Sequence, residues 1–484
     1  MTASPDALYR PALGLLTDLY QLTMAAGFWH AGLAERQAVF HLFFRRAPFE
    51  GQYAVSCGLE AAVGYLESLR FSEEDVSFLA TLKGVGDRPL FQADFLARLA
   101  DFRFACDVDA LPEGSLAFPH VPMIRVKGPL WQAQLVETAL LNLVGFPTLV
   151  ATKAARICDV ASGPVVDFGL RRAQGPDGGL TASRAAWVGG CAGTSNVLAG
   201  RLYGIPVKGT HAHSWVMAFP DEDAAFAAWI DAFPHNSILL VDTFDTRAGV
   251  SKAIAAGQEL RRRGGDLAGV RLDSGDLAAL SRGAREQLDA AGFPDAAVVA
   301  SSDLDEYRIE SLRQRRAPIA LWGVGTRLVT ASDQPSLGVV YKLGALQEAD
   351  GSWRQVLKRS SDPAKATLPG ALEVERWTGP LGEAVAIALR DAHEAPGEGP
   401  WWDRSQEAPS DLEPASRAPA LIPVFEGGRR VWTAPPLWEV RVRARDERRL
   451  LPAEVRRLRG GSPFPVLLSP NLQERRRALL DAAP

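Results

Sequence analysis

Two histidines and neighbouring hydroxyl side chains follow a short apolar segment near the middle of this 484-residue chain. The segment Pro206–Trp215 reads PVKGTHAHSW, so that Ile205 and Val207 are followed by His211 and His213. If the apolar residues form a strand, the histidines lie on the loop beyond its carboxyl end, where parallel α/β folds carry their catalytic groups. A pair of hydrogen-bonded structural histidines is the alternative, and this segment alone leaves it open.

Other apolar segments end in side chains that can bind phosphate or a metal ion. The residues that follow them are Asp167–Arg172, Asp242–Asp245, Arg271–Asp276, Ser301–Asp303 and Gly323–Thr326. Together they supply an aromatic ring, guanidinium groups, carboxylates, hydroxyls and a glycine-rich turn whose N–H groups can approach a phosphate. Such a mixture fits a polyphosphorylated sugar with Mg²⁺. The carboxylates of Asp245 and Asp276 have a second interpretation, as N-caps of the following helices.

The spacing of the apolar segments predicts the fold that positions these groups. The segments are Val165–Val166, Ile205–Val207, Ile238–Val241, Val270–Leu272, Val298–Ala300 and Ile319–Trp322. Most gaps are about 30 residues and hold a helix-like stretch, which is the length of a βα unit. We predict an α/β protein with a closed or nearly closed parallel barrel over residues 129–339, and an open doubly wound sheet is the alternative.

The residues on either side predict an α+β N-terminal domain over 1–128, completed by part of 340–450, and a small C-terminal extension within 340–484. The N-terminal predictions are a helix in Gly14–His30 capped by Thr17 or Asp18, a strand at Ala38–Phe44, a helix at Gly58–Leu69, short antiparallel strands in Phe104–Gly128, and helices at Gln132–Val144 and Thr148–Val160. The C-terminal predictions are a linker or surface insertion at Glu394–Pro419, strands at Leu421–Phe425, Val431–Thr433 and Leu437–Val442, and an arginine-rich tail forming a solvated helical face. A phosphate-binding role is the less favoured alternative for the tail arginines, which are Arg456, Arg457, Arg459, Arg475, Arg476 and Arg477.

Composition excludes several classes of function. The net charge of −4 gives no electrostatic reason to expect nucleic acid or an acidic membrane as a partner. We see no apolar run near the ~20 residues that span a bilayer, and no secretion signal. The 4 cysteines have no paired spacing, so neither a zinc site nor a disulfide framework is indicated. A cytoplasmic enzyme is the expectation.

Several motifs, in order, closely resemble nicotinate phosphoribosyltransferases. They are GLLTDLYQLTMAAGFW from Gly14, the run Asp167–Ser214, VRLDSGDL, GVGTRLVT and PSLGVVYKL, and the resemblance extends from about Leu13 to Leu343. It implies a type II phosphoribosyltransferase fold, an irregular parallel α/β barrel with a β-rich N-terminal domain. The implied reaction belongs to NAD salvage: nicotinate and phosphoribosyl pyrophosphate give nicotinate mononucleotide and pyrophosphate, with Mg²⁺ and coupled ATP hydrolysis. The resemblance also implies a homodimer with shared active sites.

The resemblance assigns roles to individual residues of this chain. It makes His213, and not His211, the histidine that ATP phosphorylates, and it places Arg271 and Asp273 with His213 as catalytic residues. The substrate-binding residues are Tyr20, Phe168 and Arg171 around the pyridine ring, with Ser195, Thr210, Asp242, Ser302, Gly323, Gly325 and Thr326. Asp242 and Asp273 match the acids near Mg²⁺, and Gly323, Gly325 and Thr326 match the phosphate turn. Either Arg45 or Arg46 corresponds to an arginine that reaches phosphate across the dimer interface.

The pyridine substrate and the reaction class have alternatives. Nicotinamide-using relatives carry an aspartate where this chain has Ser195, and a serine tolerates the carboxylate of nicotinate. Nicotinamide transfer and quinolinate transfer are the related rivals. The second carboxylate of quinolinate would require an additional cluster of basic residues, and we find none near Phe168–Arg172 in the sequence. A lyase or aldolase that uses Lys153 or Lys208 as a Schiff base and a non-catalytic ligand sensor are the rivals from other classes.

Overall fold

A computed structural model of the chain describes residues 13–358 and 366–482. Its α-helices within these ranges are α1 Leu19–His30, α2 Leu59–Ser68, α3 Glu73–Thr81, α4 Ala93–Ala100, α5 Leu130–Leu135, α6 Glu137–Val160, α7 Gly175–Gly189, α8 Val197–Tyr203, α9 His213–Met217, α10 Glu222–Ala232, α11 Thr246–Arg262, α12 Leu277–Ala290, α13 Glu306–Gln314, α14 Thr326–Val329, α15 Leu437–Leu450 and α16 Pro470–Asp481.

The strands within the same ranges are β1 Gln37–Phe44, β2 Ala54–Val55, β3 Asp107–Ala110, β4 Leu116–Ala117, β5 Ile124–Pro129, β6 Val165–Asp167, β7 Gly193–Thr194, β8 Ile238–Leu240, β9 Gly269–Leu272, β10 Ala297–Ala300, β11 Leu321–Val324, β12 Val339–Gln347, β13 Trp353–Gln355, β14 Leu372–Thr378, β15 Ala384–Asp391, β16 Trp401–Asp403, β17 Ala408–Ser410, β18 Ser416–Pro419, β19 Ile422–Glu426, β20 Arg429–Arg430 and β21 Val466–Leu468.

The chain divides into two structural units. The second unit is Lys153–Pro335, and the first unit holds the described residues up to Thr152 and from Ser336 onward. Residues 129–152, which we assigned to the barrel from sequence, lie in the first unit. Helix α6 contributes residues to both units, since the boundary falls within it.

The second unit contains a six-stranded parallel sheet in the order β7-β6-β11-β10-β9-β8. The first strand of the series therefore pairs with the last, Asp167 lying opposite Val324, while β8 to β11 pair consecutively. At least one α-helix lies between each pair of consecutive strands of this sheet, and between β6 and β7 a short 3-10 helix precedes α7. The prediction of a nearly closed parallel barrel is confirmed, and the doubly wound alternative is wrong because its first and last strands would not pair.

The barrel ring is irregular between β7 and β8. Ile205–Val207, which we predicted as a strand, forms only one parallel bridge, from Val207 to Thr194 of β7. Beyond it, the Leu240 N–H of β8 donates to Nε2 of His211 at 3.2 Å, so a side chain bridges the strands where a ladder hydrogen bond is lacking. The strand prediction was wrong because Pro206 has no N–H to donate.

The first unit is built mainly on antiparallel β-structure, with one parallel pair, β15 and β21. Its seven-stranded sheet has the order β13-β12-β1-β5-β3-β19-β20, and a second, six-stranded sheet has the order β17-β16-β21-β15-β14-β18. Strand β1 is almost wholly buried between β12 and β5. The backbone N–H of Leu372 donates to Nε2 of His41 in β1 at 3.1 Å. This hydrogen bond holds the start of β14 next to the first sheet. The helices predicted in Gly14–His30 and at Gly58–Leu69 are confirmed as α1 and α2, and the strand predicted at Ala38–Phe44 is confirmed as β1.

Three predictions in the C-terminal part were wrong. Glu394–Pro419 is not a linker, because β16, β17 and β18 lie within it and pair into the second sheet. Leu437–Val442 is not a strand but the start of helix α15, whose Val440, Ala444 and Arg448 share one buried face at helical spacing. Val431–Thr433 follows β20 as irregular chain, and the strand prediction at Leu421–Phe425 is confirmed by β19.

The buried helix α6 differs from the sequence prediction in length. It continues through Pro147, so the two helices that we expected at Gln132–Val144 and Thr148–Val160 are replaced by α5 and the longer α6, with the break at Val136. Among the described residues α6 is also long and apolar enough to cross a membrane by length and composition, but 72% of its apolar window is buried. Such burial is typical of a core helix in a folded unit.

Candidate active site

The loops at the carboxyl ends of the parallel strands bring most of the predicted site residues to one end of the second unit. We call this set the strand-end rim. It comprises Phe168 after β6, Ser195 after β7, Thr210 before α9 and His213 at the start of α9, Asp242 and Thr243 after β8, Arg271 near the end of β9 and Asp273 after it, Ser301 and Ser302 after β10, and Gly325 and Thr326 after β11. Because the strands are parallel, their carboxyl ends all point the same way, which is why residues more than 150 positions apart share this edge.

His213 is held on both sides of its ring. Its Nδ1 lies 3.1 Å from Oγ1 of Thr243, and its Nε2 lies 3.8 Å from Oδ2 of Asp273. About 38% of the His213 side chain and 31% of the Asp273 side chain remain exposed, so both can meet a ligand. The hydroxyl of Ser301 donates to Oδ1 of Asp273, which leaves Oδ2 directed toward the histidine. The sequence indicated His213 and Asp273 but gave no separate signal for Thr243.

The second carboxylate, Asp242, orients the loop that carries Asp273. Its Oδ2 accepts hydrogen bonds from the Asp273 N–H at 2.9 Å and from the Ser274 hydroxyl at 2.6 Å. Its Oδ1 is buried and has no hydrogen-bond partner. Buried carboxylate oxygens are normally satisfied, so this atom is a candidate ligand for a metal ion or a sugar hydroxyl.

Arg271 connects the histidine loop to the aromatic part of the rim. Its Nη1 donates to Oγ1 of Thr210 at 3.0 Å and to the carbonyl oxygen of His211 at 3.2 Å, and its guanidinium carbon is 6.0 Å from the Phe168 ring centre. Burial lowers the pKa of Arg271 below its ordinary value, while Asp273 and Asp242 raise it and Arg171 lowers it. Its Nε is buried without a partner, so this cation retains a donor for an anionic ligand.

Phe168 and Gly323 are in close contact. A Cβ on Gly323 would lie 2.5 Å from Cε2 of Phe168, so the ring occupies space that only glycine leaves free. The Phe168 N–H donates to the carbonyl oxygen of Val324 at 2.8 Å. Gly325 and Thr326 begin helix α14 immediately after, and Arg171 is an exposed residue of the turn after Phe168. The Phe168 ring and the turn formed by Gly323–Thr326 therefore pack directly against each other.

Asp167 positions the loops on either side of the ring, a role that the sequence analysis missed. It is 1% exposed, and it accepts hydrogen bonds from the hydroxyls of Ser183 and Thr194 and from the Gly169 N–H, at 2.7–2.8 Å. Burial raises the pKa of this carboxyl, and these three donors lower it. The carbonyl oxygen of Asp167 also accepts the N–H of Ser195 at 2.8 Å, so Phe168 and Ser195 are fixed from one residue.

The rim contains backbone in an uncommon conformation. Ser302 and Asp303 have φ of 102° and 40°, values that favour glycine, and they directly follow β10. Strain of this kind costs on the order of 1–3 kcal/mol per residue and is concentrated at functional sites. Ser302, which the resemblance placed among the substrate-binding residues, thus lies in the turn next to Ser301 and its partner Asp273.

His211 is structural. It is 6% exposed, its Nε2 lies 3.2 Å from the Leu240 N–H, and its ring packs 4.7 Å from that of Trp229. Burial lowers its pKa to about 4, so it is neutral at neutral pH. The structural interpretation of the two histidines therefore applies to His211 and not to His213.

Lys153, the first Schiff-base candidate, is a poor nucleophile here. It is 1% exposed, and its Nζ lies 2.7 Å from Glu306 and 2.6 Å from Asp333. A charged amine held by two carboxylates cannot attack a carbonyl. Lys208 is exposed on the irregular stretch after Val207.

Three of the predicted residues lie in the first unit. Tyr20 is on α1 with 48% of its surface exposed, and Arg45 and Arg46 follow β1. Arg46 is exposed, whereas Nε of Arg45 is buried and has no hydrogen-bond partner.

Within residues 13–358 and 366–482, no three His, Cys, Asp or Glu side chains are grouped closely enough to hold a metal ion by themselves. The pair Asp242 and Asp273 nevertheless fits Mg²⁺, which is often held by one or two carboxylates together with substrate phosphates. Each of the two residues has a carboxylate oxygen outside the hydrogen bonds described above.

Comparison with known proteins gives a consistent result over most of the chain. Three family profiles match: the nicotinate phosphoribosyltransferase N-terminal domain at residues 15–145, the nicotinate phosphoribosyltransferase family at 164–370, and the nicotinate phosphoribosyltransferase C-terminal domain at 402–476. Among curated relatives, nicotinate phosphoribosyltransferase of Bacillus subtilis is 48% identical over 75% of this chain and 73% of its own. The Homo sapiens protein of the same name is 38% identical over 98% of both chains.

Solved structures resemble the fold as well. The crystal structure of human nicotinic acid phosphoribosyltransferase matches with a TM-score of 0.79 and 35% identity, covering 96% of this chain and 99% of that one. A nicotinate-nucleotide pyrophosphorylase from Pyrococcus furiosus matches with a TM-score of 0.69, covering 93% and 97% of the two chains. At 22% identity this second match shows a shared fold alone.

Proposed function

This chain belongs to the nicotinate phosphoribosyltransferase family, and we propose that it joins nicotinate to phosphoribosyl pyrophosphate with coupled hydrolysis of ATP. The products are nicotinate mononucleotide and pyrophosphate, a step of NAD salvage. The observation that carries the proposal is the strand-end rim, in which His213 lies beside Asp273 while Arg271 links the histidine loop to Phe168.

The transfer step mainly requires stabilisation of the charge on the departing pyrophosphate and correct positioning of the pyridine nitrogen. The pyridine nitrogen of nicotinate forms a bond to the anomeric carbon while the bond from that carbon to the pyrophosphate oxygen breaks. The sugar passes through an oxocarbenium-like state, as in glycoside cleavage, and no strong base is needed because the nitrogen already carries its lone pair. Cations and a metal near the departing pyrophosphate would supply the stabilisation. Arg271, with its buried and unpartnered Nε, is suited to bind that anion.

Mg²⁺ would neutralise charge on the pyrophosphate when it is bound. Asp242 and Asp273 are the residues that we propose would hold it, through the unpartnered Oδ1 of Asp242 and the Oδ2 of Asp273. The hydroxyl of Ser301 and the N–H of Asp273 keep these two carboxylates oriented. Gly323, Gly325 and Thr326 are proposed to receive the sugar phosphate, and Thr210 and Ser302 to contact the ligand.

Nicotinate is the proposed pyridine substrate. Phe168 would stack on its ring and Arg171 would pair with its carboxylate, since a guanidinium and a carboxylate form two parallel hydrogen bonds. Ser195 follows β7 beside this loop and carries no charge that would repel a carboxylate. Tyr20, and Arg45 or Arg46, are proposed to complete the site of a partner subunit in a homodimer.

The proposed role of ATP is to phosphorylate His213. The γ-phosphoryl group would move to a ring nitrogen of the histidine with release of ADP, and water would later release it as phosphate. A phosphohistidine adds about two negative charges near the rim and so changes its affinity for anionic substrates and products. The exposed ring and its contact with Thr243 make His213 accessible and fixed in orientation.

The cell compartment is also part of the proposal. No disulfide links the four cysteines, all of which lie within the described residues, and three of them are buried. Cysteines that form no disulfide are typical of a reducing compartment, and both phosphoribosyl pyrophosphate and ATP are intracellular substrates. We therefore place the enzyme in the cytoplasm.

A product assay tests the proposal. Nicotinate, nicotinamide and quinolinate are each supplied with phosphoribosyl pyrophosphate and Mg²⁺, with and without ATP, and mononucleotide and pyrophosphate are measured. We expect product from nicotinate, with more formed at equilibrium when ATP is present. Product from nicotinamide or quinolinate instead would overturn the substrate assignment. His213→Ala should abolish ATP hydrolysis but keep ATP-independent transfer, and His235→Ala, an exposed histidine of the same unit, is the control.

A further inference from the structure

A second cluster of arginines lies in the first unit, outside the strand-end rim. Arg404 follows β16, and Arg476 and Arg477 are on α16. These three side chains line a cavity of about 500 Å³, and the other lining residues include His120, Trp402, Glu407 and Phe464. We call it the arginine pocket. None of its lining residues belongs to the second unit, which carries the strand-end rim.

The cations of the arginine pocket outnumber the acidic residues in its lining, although Glu407 raises the pKa of both Arg404 and Arg476. No ion pair joins Arg404, Arg476 or Arg477 to a carboxylate within the described ranges, and Glu407 is the one acidic residue in the lining. Asp403 is next to Arg404, but its Oδ1 accepts the N–H and hydroxyl of Ser405 at 2.8 and 2.7 Å. Three guanidinium groups against one carboxylate leave the pocket with an excess of positive charge.

Several donors in the arginine pocket are buried without partners. They are Nη1 of Arg404, Nε of Arg476 and, depending on its tautomer, Nδ1 of His120. Burial, and secondarily Arg476, lowers the pKa of Arg404 to about 10 while Glu407 raises it, so the arginine is still charged at neutral pH. Burial lowers the pKa of His120 to about 3, with Arg404, Arg45 and Arg476 acting in the same direction. Buried cations that outnumber their counter-ions are unfavourable, and an anionic ligand would reduce that cost.

The remaining walls are apolar or aromatic. Arg477 lies over the ring of Trp402, 4.5 Å from its centre, and Phe464 stacks on Phe118 with ring centres 4.5 Å apart. An inorganic ion alone would fill a small part of about 500 Å³. Pockets of several hundred Å³ with a few polar groups and apolar walls hold molecules of nucleotide size.

We propose that the arginine pocket binds a phosphate-bearing small molecule of nucleotide size, whose phosphate is received by Arg404 and Arg476 and whose uncharged part packs against Trp402 and Phe464. Guanidinium groups bind phosphate oxygens through paired N–H donors, and more than one guanidinium matches the double charge of a phosphate monoester. None of its lining residues is among the proposed catalytic residues, and we assign its occupant as an effector and not a reactant.

Binding to variants of the full-length protein tests the proposal. Inorganic phosphate and AMP are titrated calorimetrically into the wild type and into Arg404→Gln and Arg476→Gln. We expect each variant to lose at least tenfold in affinity for one class of AMP site, and AMP to bind the wild type more tightly than phosphate. Arg475→Gln is the matched control, because Arg475 is on the same helix but pairs with Glu394. Arg271→Gln should leave this class of site unchanged.

Unchanged AMP affinity in both variants, or an equal loss in Arg475→Gln, would overturn the proposal, as would equal affinity for AMP and phosphate. If either variant fails to fold, wild-type crystals soaked in tungstate decide the question. Anomalous density between Arg404 and Arg476 supports the site, and its absence contradicts it. Formation of nicotinate mononucleotide, measured separately, reports on the proposed function, so either proposal can fail alone.

Discussion

The hydroxyl of Thr243 lies 3.1 Å from Nδ1 of His213, on the opposite side of the ring from Asp273. Thr243 is therefore placed to fix the ring orientation and the tautomer. In catalytic histidines, the group that binds one ring nitrogen decides which form the other nitrogen presents to the substrate.

Thr243→Val keeps the shape of this side chain and removes its hydroxyl. We expect the rate of ATP hydrolysis to fall roughly 3- to 10-fold, which corresponds to the free energy that one hydrogen bond contributes to the transition state. ATP-independent transfer should change less, since it does not require a phosphorylated histidine. Thr243→Ser keeps the hydroxyl and should retain most of the ATPase rate. Equal ATPase rates in Thr243→Val and the wild type would show that this contact does not position His213.

Gly323→Ala should displace the ring of Phe168, because the new Cβ would lie 2.5 Å from Cε2. We expect kcat/KM for nicotinate to fall by about 10²-fold, the effect of a misplacement near 1 Å. Gly283→Ala is the control: it lies inside α12 with open space around its Cβ, and it should add about 0.5–1 kcal/mol of stability without changing activity. Wild-type kinetics for Gly323→Ala would show that Phe168 does not bind the pyridine ring.

Buried neutral histidines should make the protein sensitive to acid. Burial lowers the pKa of His41 to about 3 and that of His211 to about 4, from an ordinary value of 6.5. Below pH 6.5 the unfolded chain therefore binds more protons than the folded protein. The two neutral histidines contribute their full stability above that pH, and this contribution is lost as the pH falls toward 3–4. At pH 5 the loss is on the order of 2 kcal/mol for each histidine.

Denaturant unfolding at pH 7 and pH 5 measures this loss. The difference should shrink in His41→Gln, whose side chain can still accept the Leu372 N–H but does not titrate in this range. His235→Gln, at an exposed position, is the control. Its free energy of unfolding should differ between pH 7 and pH 5 by as much as that of the wild type. An unaltered pH dependence in His41→Gln would contradict the assignment of a neutral buried His41.

The buried ion pairs of Lys153 should be structural. Lys153→Met leaves Glu306, which is fully buried, without one of its two cationic partners, Arg156 being the other. Breaking such a pair costs about 3–5 kcal/mol, somewhat less where a second cation remains. Chemical denaturation measures the loss, and borohydride with a carbonyl substrate should trap no adduct on this lysine in the wild type. A trapped adduct would favour the Schiff-base alternative.

The edge of the barrel could be predicted from sequence, but the way the ring closes could not. Each apolar segment followed by Asp, Ser or Gly was visible by itself, and parallel strands place their carboxyl ends together. The strand at Val165–Asp167 is fixed by its partner Leu321–Val324, more than 150 residues later, and no local pattern contains that pairing. The bridge from His211 to Leu240 likewise depends on the finished fold.

Errors in the C-terminal part have local causes. Leu437–Val442 is a short apolar run, and such a run fits a strand or a buried helix face equally well. Trp401–Asp403 lies in a proline- and charge-rich stretch, and it becomes a strand because β21 supplies a partner. Thr243 and Ser301 act through Asp273 and His213, so their roles became visible only when these side chains were brought within hydrogen-bonding distance.

The most direct test of the account is the rate of nicotinate mononucleotide formation by Asp273→Asn, compared with Asp276→Asn. Asp276 is three residues further along, where its side chain caps α12 and pairs with Arg315. We predict that Asp273→Asn lowers the rate by at least about 10²-fold, since a carboxylate proposed to hold Mg²⁺ is lost, while Asp276→Asn stays near the wild-type rate. A folded Asp273→Asn with a rate near that of the wild type would contradict the account.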